Sequence, residues 1–461
     1  MIRVSIAPSF LSGKASMAHA WLQRILFGPP GCGKSYRVWQ LADSELGVKR
    51  NSQQLIETTF HPEYSYGDFL AKLLPRTGSH TPIYQLEDGP EHLKTAKLVQ
   101  LGGSPTIEYH IHVGPMLKAL ALAYAGLKDA RNVLLVIDEI NRGNCAQIFG
   151  DVFQLLDRDE HGWSEYGIEL SAMFRDALEQ ELRGLGKCLD DLPQELWIKK
   201  EQADLNPIGY KLRLPPNLSL IGTMNTSDES VYYMDTAFKR RWDFSFLPWQ
   251  GDGGDAAQIA QGQAKVAATQ HTWYALLRKL NNFIAGEFRN RRVDDKQVGL
   301  WFIKALKVPQ TIPPPLQQLE KTLLKLQGDG KYSSWVAQFP LATEYNNTGL
   351  LFNDSIQPIM AAQGIAWPAN ASAGHAATLA KSLLAEVRKT TQAQHLGIPR
   401  EAIRNKLMFF LWDNVFARDS KPLERLLQGA GPAIAEPRTF GEFVDGQNAE
   451  LLIAGLMAEP D

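Results

Sequence analysis

Apolar residues gather along this chain in short unbroken runs, and stretches of helical period separate them. Ile25–Phe27 reads as a buried strand, and a helical pattern begins beyond Lys34 with Tyr36, Val38, Trp39 and Leu41. Ile56–Phe60 predicts a second strand and Pro115–Ala125 a helix. Val133–Ile137 is a continuous apolar run, the pattern of a parallel strand covered on both faces. Ile148, Phe149, Val152, Phe153, Leu155 and Leu156 then fall on one helical face. Leu218–Thr223 is a third strong strand, and Phe244–Leu247 reads as another. Strands alternating with helices predict a doubly wound α/β domain over about residues 20–248.

The stretch 159–210 is longer than a usual connection in such a sheet. It holds a helical pattern near 168–187 and then a proline-punctuated segment, so it is expected to be an insertion. Gly251–Gly254 with Asp252 and Asp255 forms a joint. Beyond it the periodicity is helical over Trp273–Phe283, Val298–Leu306, Leu316–Leu324, Ala377–Val387 and Ile403–Phe416. Residues 308–400, rich in Pro, Gly, Gln and Asn, predict a second insertion. The expected organisation is a short lead-in over 1–21, an α/β domain over 22–249, and a mainly helical region over 250–461.

Composition narrows the class. A chain of 461 residues can bury two or three cores without covalent staples. Cys32, Cys145 and Cys188 are odd in number and lack metal-ligand spacing, which suits a reducing compartment. Lys14, Gln23 and Arg24 interrupt any leader-like apolar core, and Met116–Leu127 is too short to cross a bilayer and carries Lys118. The expectation is a cytoplasmic protein without a membrane partner. A net charge of -2 excludes a polycation. A local patch of Arg289, Arg291, Arg292 and Lys296 is interleaved with Glu287, Asp294 and Asp295, so it reads better as a solvated face than as a DNA surface.

The chemistry begins at Gly28-Pro29-Pro30-Gly31-Cys32-Gly33-Lys34-Ser35, a complete phosphate-binding P-loop pattern with a strand before it and a helix after it. Its glycines let backbone N–H groups curl around phosphate oxygens. Lys34 can reach the β- and γ-phosphates of ATP or GTP, and Ser35 can put its hydroxyl on Mg²⁺. Asp138 and Glu139 close the Val133–Ile137 strand; Asp138 suits the metal, and Glu139 suits orienting and deprotonating water. Asn225 closes the next strong strand, where a neutral amide can meet the γ-phosphate or the water. Asp228 can support that loop. Arg240 and Arg241 end a short expected helix, where a guanidinium either stabilises transferred phosphoryl charge, from a neighbouring subunit, or serves the helix dipole. His61 lies among Tyr64, Tyr66 and Phe69, either near the nucleotide or as a structural histidine. No nuclease constellation and no dedicated nucleic-acid reader stands out.

The P-loop, Ile137-Asp138-Glu139-Ile140-Asn141-Arg142-Gly143-Asn144 with Ile148-Phe149-Gly150, and Ile221-Gly222-Thr223-Met224-Asn225-Thr226-Ser227-Asp228 leading to Asp235 and Arg240-Arg241 together resemble the AAA+ superfamily. They are similar in particular to the McrB-type motor of modification-dependent restriction systems. Phe60-His61, Tyr64-Ser65-Tyr66 and Asp68-Phe69 add to the likeness. Asp295-Lys296-Gln297-Val298-Gly299, Asn405-Lys406-Leu407 and Leu411–Phe416 resemble pieces of the family's lid.

The resemblance implies a homo-oligomeric, hexamer-like ring that binds GTP and works with a separate nuclease subunit that cuts DNA. It also implies that Asn225 is the first sensor, that Asp138 and Glu139 are the Walker B pair, and that Arg240 or Arg241 acts across the interface. Asn141 and Arg142 then couple the acidic pair to a neighbour or partner, unless Asn141 merely caps a helix. Ser227-Asp228-Glu229 stands where the family has Ala-Asp-Arg, which leaves ATP against GTP open. The short segment before the P-loop lacks room for a target-reading domain, so target recognition is expected in a partner or an insertion. Two other readings stand beside this one: a MoxR- or dynein-related ATPase remodelling protein complexes, and a nucleotide-gated assembly scaffold.

Overall fold

A computed structural model describes residues 21–77, 81–87, 97–104, 107–192, 196–199, 208–225, 232–251, 254–267, 269–289, 293–309, 394–428 and 439–459, with Ala361, Leu384, Ala385, Val387, Arg388 and Pro437 besides. The chain divides into two compact units, Met1–Pro248 and Trp249–Asp461. It has a mixed α/β core on a parallel sheet and a C-terminal region rich in helices.

The first unit is built on five strands: β1 (Gln23–Gly28), β2 (Leu55–Thr59), β3 (Val133–Asp138), β4 (Leu218–Asn225) and β5 (Asp243–Phe246). They pair in parallel in the order β5-β1-β4-β3-β2. Alternation along the strands divides the core between two faces. Leu26, Leu134, Val136 and Ile221 pack with Val38 and Leu41 of helix α1 (Lys34–Ser44). Ile25, Leu135, Ile137 and Leu220 pack with Leu117 and Leu120 of helix α2 (Pro115–Gly126). Each Leu or Ile so buried contributes roughly 2 kcal/mol, and cover on both faces explains the unbroken apolar run of β3.

The helical face at Ile148–Leu156 forms as a short helix, Cys145–Phe149, that tightens into a 3-10 helix over Gly150–Leu156. The expected insertion contains helix Ala172–Gly184 and also a small antiparallel sheet of Ile168–Glu169, Ile208–Leu212 and Trp197–Lys199. Between β2 and α2 the chain makes antiparallel pairs, Ala71–Thr77 with Ile107–Val113 and Thr81–Glu87 with Lys97–Ser104, where the hydrophobic pattern predicts nothing.

In the second unit, helix Trp273–Glu287 buries Trp273, Leu276, Leu277, Leu280 and Ile284. The helix expected at Val298–Leu306 is absent. Val298, Leu300, Ile303 and Ala305 are buried, but side chains take up the backbone polar groups of this segment. Asn281 exchanges two hydrogen bonds with the Val298 backbone, at 2.8 and 3.0 Å. Gln261 bonds the carbonyls of Leu300 and Ile303 and the N–H of Ala305, and the Trp273 indole also donates to Leu300. With those groups satisfied, an irregular strap can be buried without helical bonds. It runs into strand Leu306–Pro309, which pairs antiparallel with Gln394–Ile398, so the chain leaves and returns at one place around the expected second insertion. Helical backbone covers Arg400–Val415, with wide π-type turns over Ile403–Met408 and Leu411–Val415. Helices Lys421–Gln428, Phe440–Val444 and Asn448–Ala458 follow. Leu316–Leu324 and most of Ala377–Val387 lie outside the described residues. Among the described residues no helix is long and apolar enough to cross a membrane.

Candidate nucleotide site

Parallel pairing brings the motif residues together. Gly28 ends β1 opposite Asn225 of β4, and Ile137 of β3 pairs with Gly222, so the P-loop, the acidic pair and Asn225 leave the same edge of the sheet. Ligands of open α/β sheets bind at such carboxyl edges.

The loop Pro29–Gly33 turns tightly, with the Cys32 N–H on the Pro29 carbonyl at 3.3 Å. A Cβ on Gly28 would stand 2.3 Å from the Leu247 carbonyl oxygen, so only glycine fits there. Gly33 has φ 96° and opens α1 without a side-chain cap, which leaves helix N–H groups for an anion. The Lys34 ammonium lies back on the carbonyls of Gly28 (3.0 Å) and Pro29 (3.2 Å). Cys32 is buried, and desolvation pushes its thiol up.

Thr223 is the residue the sequence reading missed. Its hydroxyl donates to Asp138 Oδ1 and accepts the Glu139 N–H at 3.2 Å. Glu139 sits in the left-handed region at φ 52°, an uncommon conformation for its side chain. Its Oε1 accepts from Asn225 Nδ2 at 2.5 Å, and its Oε2 lies 3.4 Å from Arg142 Nε. Buried Asn141 donates from Nδ2 to the Asn225 carbonyl at 2.8 Å, while its own carbonyl accepts from the Tyr232 N–H. The cap reading of Asn141 is therefore corrected: Asn144 caps helix Cys145–Phe149 through the Gln147 N–H. Ser35, Trp39, Glu57, Thr59, Asp138 and Thr223 line a cavity of about 460 Å³ beside this cluster.

The aromatic segment after β2 is chiefly structural. Phe60 and Phe69 are fully buried and meet Phe149 at ring distances of 6.2 and 5.0 Å. His61 is exposed, edge-on to Tyr64. Thr226, Ser227, Asp228 and Glu229 lie outside the described residues, as do Arg291 and Arg292. Lys296 is engaged within the second unit, on the Asn414 carbonyl and the Phe288 ring.

The two arginines part company. Arg241 is nearly buried: its Nε and Nη2 meet Asp157 Oδ2 at 3.0 and 2.6 Å, its Nη1 meets the Ala237 carbonyl, and its guanidinium covers Phe153. Arg240 is exposed, and its side chain makes no hydrogen bond or ion pair among the described residues. Both lie at the amino edge of the sheet, because Asp243 of β5 aligns with Arg24 of β1 and Gln23 Nε2 donates to the Arg241 carbonyl at 2.6 Å. The P-loop lies at the carboxyl edge, five residues along β1, or roughly 16 Å away.

A P-loop entering a helix, an acidic pair closing the adjacent strand but one, and a strand-end asparagine between them define a nucleotide-binding P-loop α/β domain. Residues 23–242 match the family model described as AAA domain (dynein-related subfamily), so the chain carries an AAA+ ATPase domain. It is similar to the type II restriction enzyme BsuMI component YdiS of Bacillus subtilis, 29% identical over 284 residues, which are 61% of this chain and 72% of that one. It is also similar to the type IV methyl-directed restriction enzyme EcoKMcrB subunit of Escherichia coli, 25% identical over 220 residues. That match covers 48% of this chain and 34% of the relative. The chain thus carries an AAA+ domain related, at low identity, to restriction-system components and to dynein-related ATPases.

Proposed function

We propose that this protein is a Mg²⁺-dependent nucleoside triphosphatase, McrB-like, which works as a ring of identical subunits, hydrolyses ATP or GTP where two copies meet, and drives or regulates a partner nuclease in DNA restriction or phage defence. The observation that carries the reading is the separation of Arg240 from its own P-loop along β1. A guanidinium on the far edge is out of reach of the nucleotide of its own chain, which supports a role at a neighbour's. The restriction context comes from what the two relatives are called, and the separate nuclease subunit with its DNA from the resemblance of the motifs to McrB-type motors.

In this mechanism the P-loop amides and Lys34 hold the phosphates, and Lys34 exchanges its contacts with the Gly28 and Pro29 carbonyls for phosphate oxygens. Ser35 and Asp138 line one cavity with hard oxygen donors of the kind Mg²⁺ takes, and Thr223 engages only Oδ1 of Asp138. Mg²⁺ held by Ser35 and Asp138 would supply charge neutralisation to the phosphates. Glu139, oriented by Asn225 and Thr223, takes a proton from the attacking water. Arg240 of the neighbouring copy stabilises the charge on the transferred group, a contribution of about 10³-fold or more in related systems.

Phosphate release from ATP and from GTP, each with Mg²⁺, tests the reading. K34A is expected to lose binding and turnover, and E139Q to bind without turning over. Wild-type turnover in E139Q would reject Glu139 as the base. Stimulation by a nuclease subunit supports the restriction reading; stimulation by a protein substrate alone moves the assignment to a remodelling ATPase, as the dynein-related family model allows.

A further inference from the structure

Helix Thr236–Lys239 is one turn long and cannot by itself hold the direction of the residue that follows it. Its flanks are fixed instead. Phe238 and Trp242 are buried against Phe149, and Arg241 between them is drawn inward by Asp157, Ala237 and Phe153. Successive helical residues point about 100° apart, so committing Arg241 inward turns Arg240 outward. The backbone there is also held: the Gln23 amide donates to the carbonyls of Arg241 (2.6 Å) and Leu156 (2.7 Å).

The orientation of that amide is fixed from behind. Arg158, half-buried with its guanidinium over the Trp21 ring, donates to Gln23 Oε1 at 3.0 Å and to the carbonyls of Gly162, Pro215 and Leu218. A guanidinium only donates, so Oε1 must be the acceptor and Nε2 must face the two carbonyls.

We infer that the Asp157–Arg241 ion pair, backed by Gln23 and Arg158, is a positioning device that aims Arg240 at the nucleotide of an adjoining copy. The inference rests on the reading of Arg240 given above. Neither Asp157 nor Arg241 touches substrate; they act through the residue between Arg241 and the helix.

The test uses the full chain carrying D157N, R241K or R240A, with phosphate release, binding of a fluorescent nucleotide, and mixing with E139Q chains. D157N keeps the shape of Asp157 without its charge, and R241K keeps the charge without the fork. Both are expected to lower kcat roughly 10- to 100-fold with little change in KM, the scale of a misplaced catalytic group. Nucleotide binding should persist. E139Q chains should restore turnover to D157N, R241K and R240A alike, because they lend an intact Arg240 to a working site; a merely unstable variant gains nothing from that neighbour. Wild-type kcat in D157N and R241K, with R240A inactive and restored by E139Q, would overturn the positioning device and leave the shared site standing. Wild-type kcat in R240A would overturn both. Loss of nucleotide binding in both D157N and R241K would also overturn the inference, since the pair would then hold the fold and not the arginine.

Discussion

In the proposed mechanism the proton transfer depends on Glu139, which is held in a backbone conformation that disfavours its side chain by about 1 kcal/mol. Thr223 offsets that cost, because one buried hydroxyl serves both the Glu139 N–H and the Asp138 carboxylate. T223V removes that hydroxyl at nearly constant volume and leaves both groups unmet. The expected loss is about 1–3 kcal/mol of stability, together with a fall in kcat, while T223S should keep most of both. Denaturant unfolding and phosphate release check it, and a T223V chain equal to wild type in both would remove Thr223 from the site. Asp138, Glu139 and Asn225 were legible in the sequence because each is a polar break closing an apolar run. Thr223 was not, since a β-branched residue inside a strand reads as ordinary filling. Gln23 and Asp157 gave no signal, because their partners lie far off in sequence.

At the level of elements, the central parallel strands β1, β3 and β4 were legible because burial on both faces leaves an apolar run. The pair Ala71–Thr77 with Ile107–Val113 was not: Leu73, Ile107 and Tyr109 are exposed, so burial never imposed an alternation there. The strap at Val298–Ala305 misled in the opposite way, since its apolar residues are buried while its backbone is satisfied by Asn281, Gln261 and Trp273. Two predictions belong to this scale. Lys72, which donates to it directly, and Ser65, its capping-box partner on helix Tyr66–Phe69, hold the Asp68 carboxyl down from 3.8 to about 2. A depressed folded-state pKa gives stability that is full above pH about 3.8 and is lost as the pH falls toward 2. The difference in unfolding free energy between wild type and D68N should therefore hold steady on acidification and shrink only in that window; a difference that stays flat to pH about 2 would contradict it. In the second unit, a Cβ on Gly455 would stand 2.1 Å from the Leu426 carbonyl oxygen. Alanine is the better helix former by about 1 kcal/mol, but overpacking against backbone costs about 1–3 kcal/mol. G455A should lower the denaturation midpoint, and a raised midpoint would mean that helices Lys421–Gln428 and Asn448–Ala458 are not packed as described.

At the scale of the whole molecule, the decisive relation is one that residue order conceals. Arg240 and the P-loop are separated by more than two hundred positions in the chain, yet what matters is that parallel register sends them to opposite ends of β1. The second unit has a core of its own, around Trp273, Leu280 and Leu411, so the first unit's sheet does not depend on it for an interior. If Arg240 serves only a neighbour, then a single copy holds every group for binding and lacks one for turnover. Nucleotide binding per chain should be independent of protein concentration, whereas phosphate release per chain should rise with concentration and level off once assembly is complete. Mass action ties the two, because anything that favours the assembled state raises turnover without a new contact at the P-loop. R240A should stay low across the same range while still assembling, which light scattering can follow. Turnover per chain that stays constant through about a hundredfold dilution, over which scattering reports dissociation, would show the site to be complete in one copy. The group opposing Glu139 would then have to be sought within the first unit itself.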